Sequence, residues 1–334
     1  MFPFSTNIVP QNLIHYTSLN NAQLILTSEE VWLSNIRHMN DPNELKFGFY
    51  VLIEIIKDLI KKEAAFENYA EVINKLIGVL NFKSEQKLIT GNSEIYLTCF
   101  TESVDETISQ WSMYGDNGSG ASINFNGGEM ISLIPGNYEQ NFLKRFASSD
   151  KTLLETSTKL YTENKFGFIK IRYFNESDLT GCEHYELFEN QIKNSLTTML
   201  DDKQFLMEVE QYKNDYDYIN SIRDGKASKT LLYLTLYDLL ALAIKKHHWQ
   251  NETEWRLVLV AENQNYTSLN ATVITKRGVL MPFVRCYIKP STIRAIKLGP
   301  KVPKKDTKLG FEVFKSINEE YRDLCISTSK IDLV

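Results

Sequence analysis

The chain has 334 residues, 43% hydrophobic and 24% charged, with a formal net charge of −5. That length is ample for a buried core, and the acidic balance excludes a molecule-wide basic surface for nucleic acid, leaving only a local basic groove open. Cys99, Cys182, Cys286 and Cys325 form no C-x-x-C pair, which argues against a zinc knuckle, and the longest apolar run, Leu231 to Ile244, contains Asp238 and falls short of the roughly 20 residues a membrane span requires.

In chain order, Ile8 to Ile14 leads into His15-Tyr16-Thr17-Ser18, and Ser18 is placed to cap a short helix over Asn21 to Thr27. Val31 to Ser34 reads as a strand and Asn40-Asp41-Pro42 as a turn, with Asp41 or Asn43 placed to cap the next helix. From Glu44 to about Leu80 the pattern is helical, because Leu45, Phe49, Leu52, Ile56 and Leu59 share one face. Ile95 to Phe100 and Ala121 to Phe125 read as strands, the second coming after a glycine-rich turn over Gly115 to Gly120. Phe168 to Phe174 alternates like a half-buried strand, Tyr185 to Leu200 is an amphipathic helix, and Ser228 to Lys246 is a helix apolar nearly all round. Trp255 to Ala261, Val284 to Lys289 and Ile293 to Leu298 close the chain as strands. Strands and helices mix without β-α-β alternation, which predicts an α+β fold with a mainly antiparallel sheet. A single domain over residues 1–334 is expected, with helical insertions near 44–80 and 175–226. No phosphate-binding glycine motif is present, and no basic-then-apolar leader is read at the N-terminus, so a cytoplasmic protein with reduced thiols and no membrane partner is expected.

Three islands carry chemistry-bearing residues. Glu252 and Glu254 lie one residue apart ahead of an apolar strand, and strand alternation sends both to one face. A carboxylate beside a sugar C1 can stabilise an oxocarbenium-like transition state, more so where Trp249 and Trp255 exclude water. The alternative is a structural ion pair between Glu254 and Arg256. His15 can donate to a ribose hydroxyl while Tyr16 offers a flat ring, or both can be packed core residues. Ser112 and Tyr114 would share a face on an extended backbone, with Trp111 buried as the anchor of the turn. His247-His248 lacks the H-E-x-x-H spacing, so no metal is expected, and Cys99 reads as a core thiol.

In this order the islands resemble an uncharacterised bacterial domain family whose pattern reads H-Y-T-S, N-D-P, C-F-[ST]-E, W-S-x-Y before a glycine, K-x-x-x-W, E-x-E-W-R and a late I-x-L-G-P. The chain has His15 to Ser18, Asn40 to Pro42, Cys99 to Glu102, Trp111 to Gly115, Lys245 with Trp249, Glu252 to Arg256, and Ile296 to Pro300. That family looks like a member of the ADP-ribosyltransferase-like superfamily. The resemblance implies a split, mainly antiparallel sheet gripping NAD as a substrate, without a metal. It implies Glu254 as the catalytic acid and Glu252 in contact with the acceptor. His15, Tyr16, Thr17 and either Ser112 or Tyr114 would line the NAD site. It further implies transfer of ADP-ribose to a protein or nucleic-acid acceptor, or plain NAD hydrolysis, or a non-catalytic nucleotide-sensing module. Relatives of this kind are often toxins or phage-defence effectors, with an antitoxin or sensor protein as a possible partner.

Overall fold

The computed structural model describes residues 9–38, 41, 43–86, 93–133, 166–212, 214–224, 226–262, 271–276 and 278–331. The strands are β1 (Asn12–Thr17), β2 (Glu30–Asn35), β3 (Ser93–Thr101), β4 (Ala121–Asn126), β5 (Phe166–Lys170), β6 (Arg172–Phe174), β7 (Ile244–Lys246), β8 (Glu254–Glu262), β9 (Ala271–Lys276), β10 (Val279–Tyr287), β11 (Ile293–Leu298) and β12 (Cys325–Thr328). The helices are α1 (Leu19–Ser28), α2 (Glu44–Lys62), α3 (Ala70–Gln86), α4 (Ile108–Met113), α5 (Gly127–Leu133), α6 (Tyr185–Leu200), α7 (Lys203–Gln211), α8 (Asp215–Arg223), α9 (Ser228–Leu242) and α10 (Lys304–Ile317). Among the described residues no helix is long and apolar enough to cross a membrane.

Ten strands of the described residues form one sheet in which every pairing is antiparallel except β11 with β12. The fold is therefore α+β with a largely antiparallel open sheet. β3 organises it. One edge of β3 pairs with β8 along its whole length, from Ser93↔Glu262 to Thr101↔Glu254. The other edge is shared. β1 meets it only at Ile14↔Thr101, and β2 only at Ser34↔Leu97 and Asn35↔Tyr96. Over Thr98, Cys99 and Phe100 the sheet forks: β1 leads away to β4, β11 and β12, and β2 leads away to β10 and β9.

Alternation along β3 and β8 gives the sheet two apolar faces. Ile95, Leu97, Val258 and Val260 pack under a layer made by α2, α3 and α6 to α9, which also contains Phe49, Ile56, Phe188, Leu196 and Leu240. Tyr96, Phe100, Trp255, Leu257 and Leu259 pack on the other side with α1 and with Phe311 of α10. The two stretches expected to be insertions thus share one core with α9 and the sheet.

Ser18 caps α1 by accepting the Asn21 N–H, as its position predicts. Asp41 accepts the Asn43 N–H at 2.8 Å ahead of α2, while Asn40 and Pro42 of the expected turn lie outside the described residues. Three sequence expectations give way. The helical pattern of 44–80 breaks at Glu63, which is extended, and resumes as α3 after a 3-10 turn at Ala64–Tyr69. The strand expected over Phe168 to Phe174 divides: β5 stays on β8, then Ile171 and Arg172 turn so that β6 pairs in parallel with β7. The helix expected over Ser228 to Lys246 stops at Leu242, because Ile244–Lys246 supplies that second strand. Apolar periodicity cannot tell a buried helix end from a short buried strand.

Candidate active site

At the fork the edge of β3 opens into a hollow of about 340 Å³, lined by residues from β1, β2, β3, α4 and the Lys245–Arg256 segment. Its wall includes His15, Tyr16, Cys99, Gln110, Tyr114, Trp249, Glu252 and Glu254, together with Glu44, Lys245 and Arg256. A volume of this size lies at the lower end of small-molecule sites, roughly 300–1,000 Å³.

His15 sits where the forked edge of β3 lacks a strand partner. Its Nδ1 lies 2.9 Å from the Cys99 carbonyl oxygen, which can only accept, so Nδ1 carries the proton. Burial holds the ring pKa below its usual value, against the backbone bond that favours the charged form. The ring is therefore neutral near pH 7, with Nε2 unprotonated. The donation expected from His15 is spent on Cys99, and its second nitrogen is an acceptor for a ligand hydroxyl.

Arg256 is the node of the acidic wall. It is 1% exposed. Its Nε donates to Glu254 Oε1 at 2.7 Å, its Nη1 to the Leu242 carbonyl at the end of α9 at 2.8 Å, and its Nη2 to Glu44 in the first turn of α2. A guanidinium at a helix C-terminus satisfies a carbonyl the helix leaves open. Lys245 adds a second cation: its Nζ reaches Glu252 at 2.5 Å, Glu254 at 2.8 Å and Glu44 at 3.7 Å, over the Trp249 ring. Three carboxylates thus face two cations.

The two site carboxylates differ. Burial pushes Glu254 upward, but Arg256 and Lys245 outweigh it and hold its pKa down to about 2. Glu252 is raised, by burial first and by the neighbouring Glu254, with Lys245 opposing. Tyr114 donates its hydroxyl to Glu252 Oε1 at 2.9 Å, and the Glu254 N–H donates to the Tyr173 hydroxyl at 2.9 Å. Strand alternation does not bring the carboxylates together. Glu252 ends a 3-10 turn over His247–Glu252, and Thr253 is left-handed at φ 41° and ψ 50° before β8 begins. That backbone is uncommon for a β-branched residue. It is held by a 2.9 Å hydroxyl contact with Thr101 and by the Thr253 carbonyl accepting from the Glu102 N–H.

Of the residues expected in the site, His15, Tyr16, Tyr114, Glu252 and Glu254 line the hollow, and Ser112 and Thr17 do not. Ser112 is exposed because its segment is helix α4 rather than extended, so it and Tyr114 lie on different sides. Thr17 is buried opposite Ala121 at the β1–β4 seam. Tyr16 packs edge-on against buried Trp111 at 4.9 Å, and Trp111 donates to Glu106. Trp249 lines the hollow, but Trp255 points to the opposite face of β8, where it donates to Glu102. Cys99 packs against the helical core, as expected, and also borders the hollow, its thiol pKa pushed well above the ordinary value, by burial first and then Glu254. His247 and His248 are exposed, and among the described residues no group of three or more His, Cys, Asp or Glu is arranged to hold a metal.

Glu44, Tyr173 and Gln110 escaped the sequence. Glu44 has the pattern of a solvated first-turn acid, and Tyr173 that of an alternating strand residue. Lys245, four residues before Trp249, was marked only by the motif resemblance. A family model described as a protein of unknown function, DUF2971, matches residues 110–257, which include every acidic-wall residue except Glu44 and exclude His15. No curated protein and no solved structure matches the chain.

Proposed function

We propose that the protein cleaves the nicotinamide–ribose bond of NAD and transfers ADP-ribose to an acceptor, in a forked sheet of ADP-ribosyltransferase type. The observation that carries this reading is the hollow at the fork, which brings an imidazole from the start of the chain into one wall with two carboxylates from residues 252 and 254. When the C1′–N bond breaks, its electron pair goes to the pyridine nitrogen and positive charge grows on the ribose. The carboxylate of Glu254 stabilises that growing charge and, with its lowered pKa, stays ionised throughout. Each Glu254 oxygen accepts one bond from a cation and keeps a second lone pair for ribose. His15 Nε2 accepts a ribose hydroxyl, and Tyr114 and Trp249 supply aromatic surface. An acceptor attacking C1′ passes its proton to Glu252, whose raised pKa suits it to hold one.

Glu254→Gln keeps the shape and removes the charge. Losing one preorganised electrostatic group typically costs about 10²–10³ in rate, so nicotinamide release from NAD by the purified variant falls by at least that factor. Release at the wild-type rate would sink the proposal. With adenine-labelled NAD, label bound to macromolecules marks transfer, and label accumulating as free ADP-ribose marks hydrolysis.

A further inference from the structure

Gln110 is 3% exposed and contributes to the wall of the hollow. Its backbone is fully used. The N–H donates to the Thr107 hydroxyl that caps α4, and the carbonyl accepts from Tyr114 and Gly115. Its side chain is not: neither Nε2 nor Oε1 has a hydrogen-bond partner among the described residues. A buried polar atom without a partner is costly and rare, and a carboxamide carries two such atoms in one plane. The wall of a ligand site is where that cost has a purpose, because a bound group can complete both bonds. Gln110 also has a defined neighbour. It stands one helical turn before Tyr114, on the same side of the chain, and Tyr114 donates to Glu252. Gln110 and the Tyr114–Glu252 pair thus border the same hollow.

We propose that Gln110 is a specificity residue, pairing edge to edge with a planar ligand group that offers an N–H donor and a carbonyl acceptor side by side. Resting on the NAD reading above, that group is the primary carboxamide of nicotinamide. The adenine edge offers a similar pair, but it lies at the far end of the dinucleotide from the bond that faces Glu252 and Glu254.

The test uses the full chain with Gln110→Leu and Gln110→Met. Turnover is compared for NAD and for nicotinic acid adenine dinucleotide, in which a carboxylate replaces the carboxamide and the donor is lost. Binding of nicotinamide and of adenosine is measured separately. Wild type favours NAD by about tenfold or more in kcat/KM, because a site built to hydrogen-bond a group rejects the analogue lacking it. Both variants lose NAD activity and bring the two substrates within about twofold. Their adenosine affinity holds, and their Tm is equal or higher because an unpaired polar group has been removed. A preference that survives in both variants overturns the assignment, as does a loss of adenosine rather than nicotinamide binding. Unfolding of both variants would mark Gln110 as structural and overturn it too. Wild type that cleaves both dinucleotides equally well sinks this inference and leaves NAD cleavage standing. Wild type that neither binds nicotinamide nor cleaves NAD sinks both.

Discussion

Glu252 and Glu254, on either side of Thr253, share Lys245 and are driven in opposite directions. Glu254 has a folded pKa of about 2 against an ordinary 4.5. A depressed acid contributes stability above its unfolded pKa and loses it as pH falls toward the folded value. At about 1.4 kcal/mol per pKa unit, Glu254 supplies roughly 3 kcal/mol at neutral pH that disappears between about pH 4.5 and 2. Glu252 is raised, so the fold favours its protonated form and loses stability as pH rises through the folded value. The two amide variants should therefore affect urea midpoints at pH 7 differently. Glu254→Gln lowers the midpoint and flattens its fall between pH 4.5 and 2. Glu252→Gln leaves it unchanged or raises it. Equal losses in both variants would mean that the wall treats the two carboxylates alike. Neither behaviour is visible in the E-x-E pattern. The depression of Glu254 comes from Arg256 and Lys245 and the rise of Glu252 from burial, and the Arg256–Glu254 ion pair weighed against catalysis in the sequence is present alongside the hollow rather than instead of it.

Helix α2 reaches the site through Glu44, and its seat on α9 depends on Gly48. A Cβ at Gly48 would lie 2.2 Å from the Ala241 carbonyl oxygen. Gly→Ala inside a helix normally gains roughly 0.5–1 kcal/mol, but overpacking against fixed backbone costs about 1–3 kcal/mol. Here the obstruction is a main-chain carbonyl that cannot rotate away, so the steric cost wins. Gly48→Ala should lower Tm, and it should lower the proposed NAD turnover further than the stability loss explains, because Glu44 is one turn away on Arg256. A raised Tm would show that the two helices are free to separate. Elements were legible where one short segment carries its own signal: the three- and four-residue spacing of Tyr185 to Leu200, or the Ser18 cap. They were illegible where a partner decides. The division of 168–174 depends on β7, some seventy residues later, and α4 is too short for its periodicity to outweigh an extended reading.

At the scale of the molecule, the site is made by an arrangement that no local pattern encodes. β1 and β2 share one edge of β3 and leave Thr98, Cys99 and Phe100 uncovered between them, so the fork depends on pairings about sixty residues apart or more. The motifs His15 to Ser18, Cys99 to Glu102, Trp111 to Gly115 and Glu252 to Arg256 each place residues in the hollow, whereas Ile296 to Pro300 lies at the end of β11, two strands away from β1, and the fork itself is a property of register. The segment matched by the family model is therefore not a self-sufficient unit. Residues 110–257 are long enough for a domain. Cut out, however, β8 would lose β3, its partner along the entire strand. β4 would lose both β1 and β11, and α9 would lose α2, so that Arg256 would keep Glu254 but not Glu44. Breaking a buried ion network by removing one member costs about 3–5 kcal/mol, a large part of the 5–15 kcal/mol by which domains are stable, before the exposed strand edges are counted. Expressed alone, 110–257 should show no cooperative thermal transition and no near-ultraviolet circular dichroism, whereas the full chain shows both. A fragment that melts cooperatively would place the folding unit inside the matched segment and reduce β1, β2 and β3 to an accessory layer.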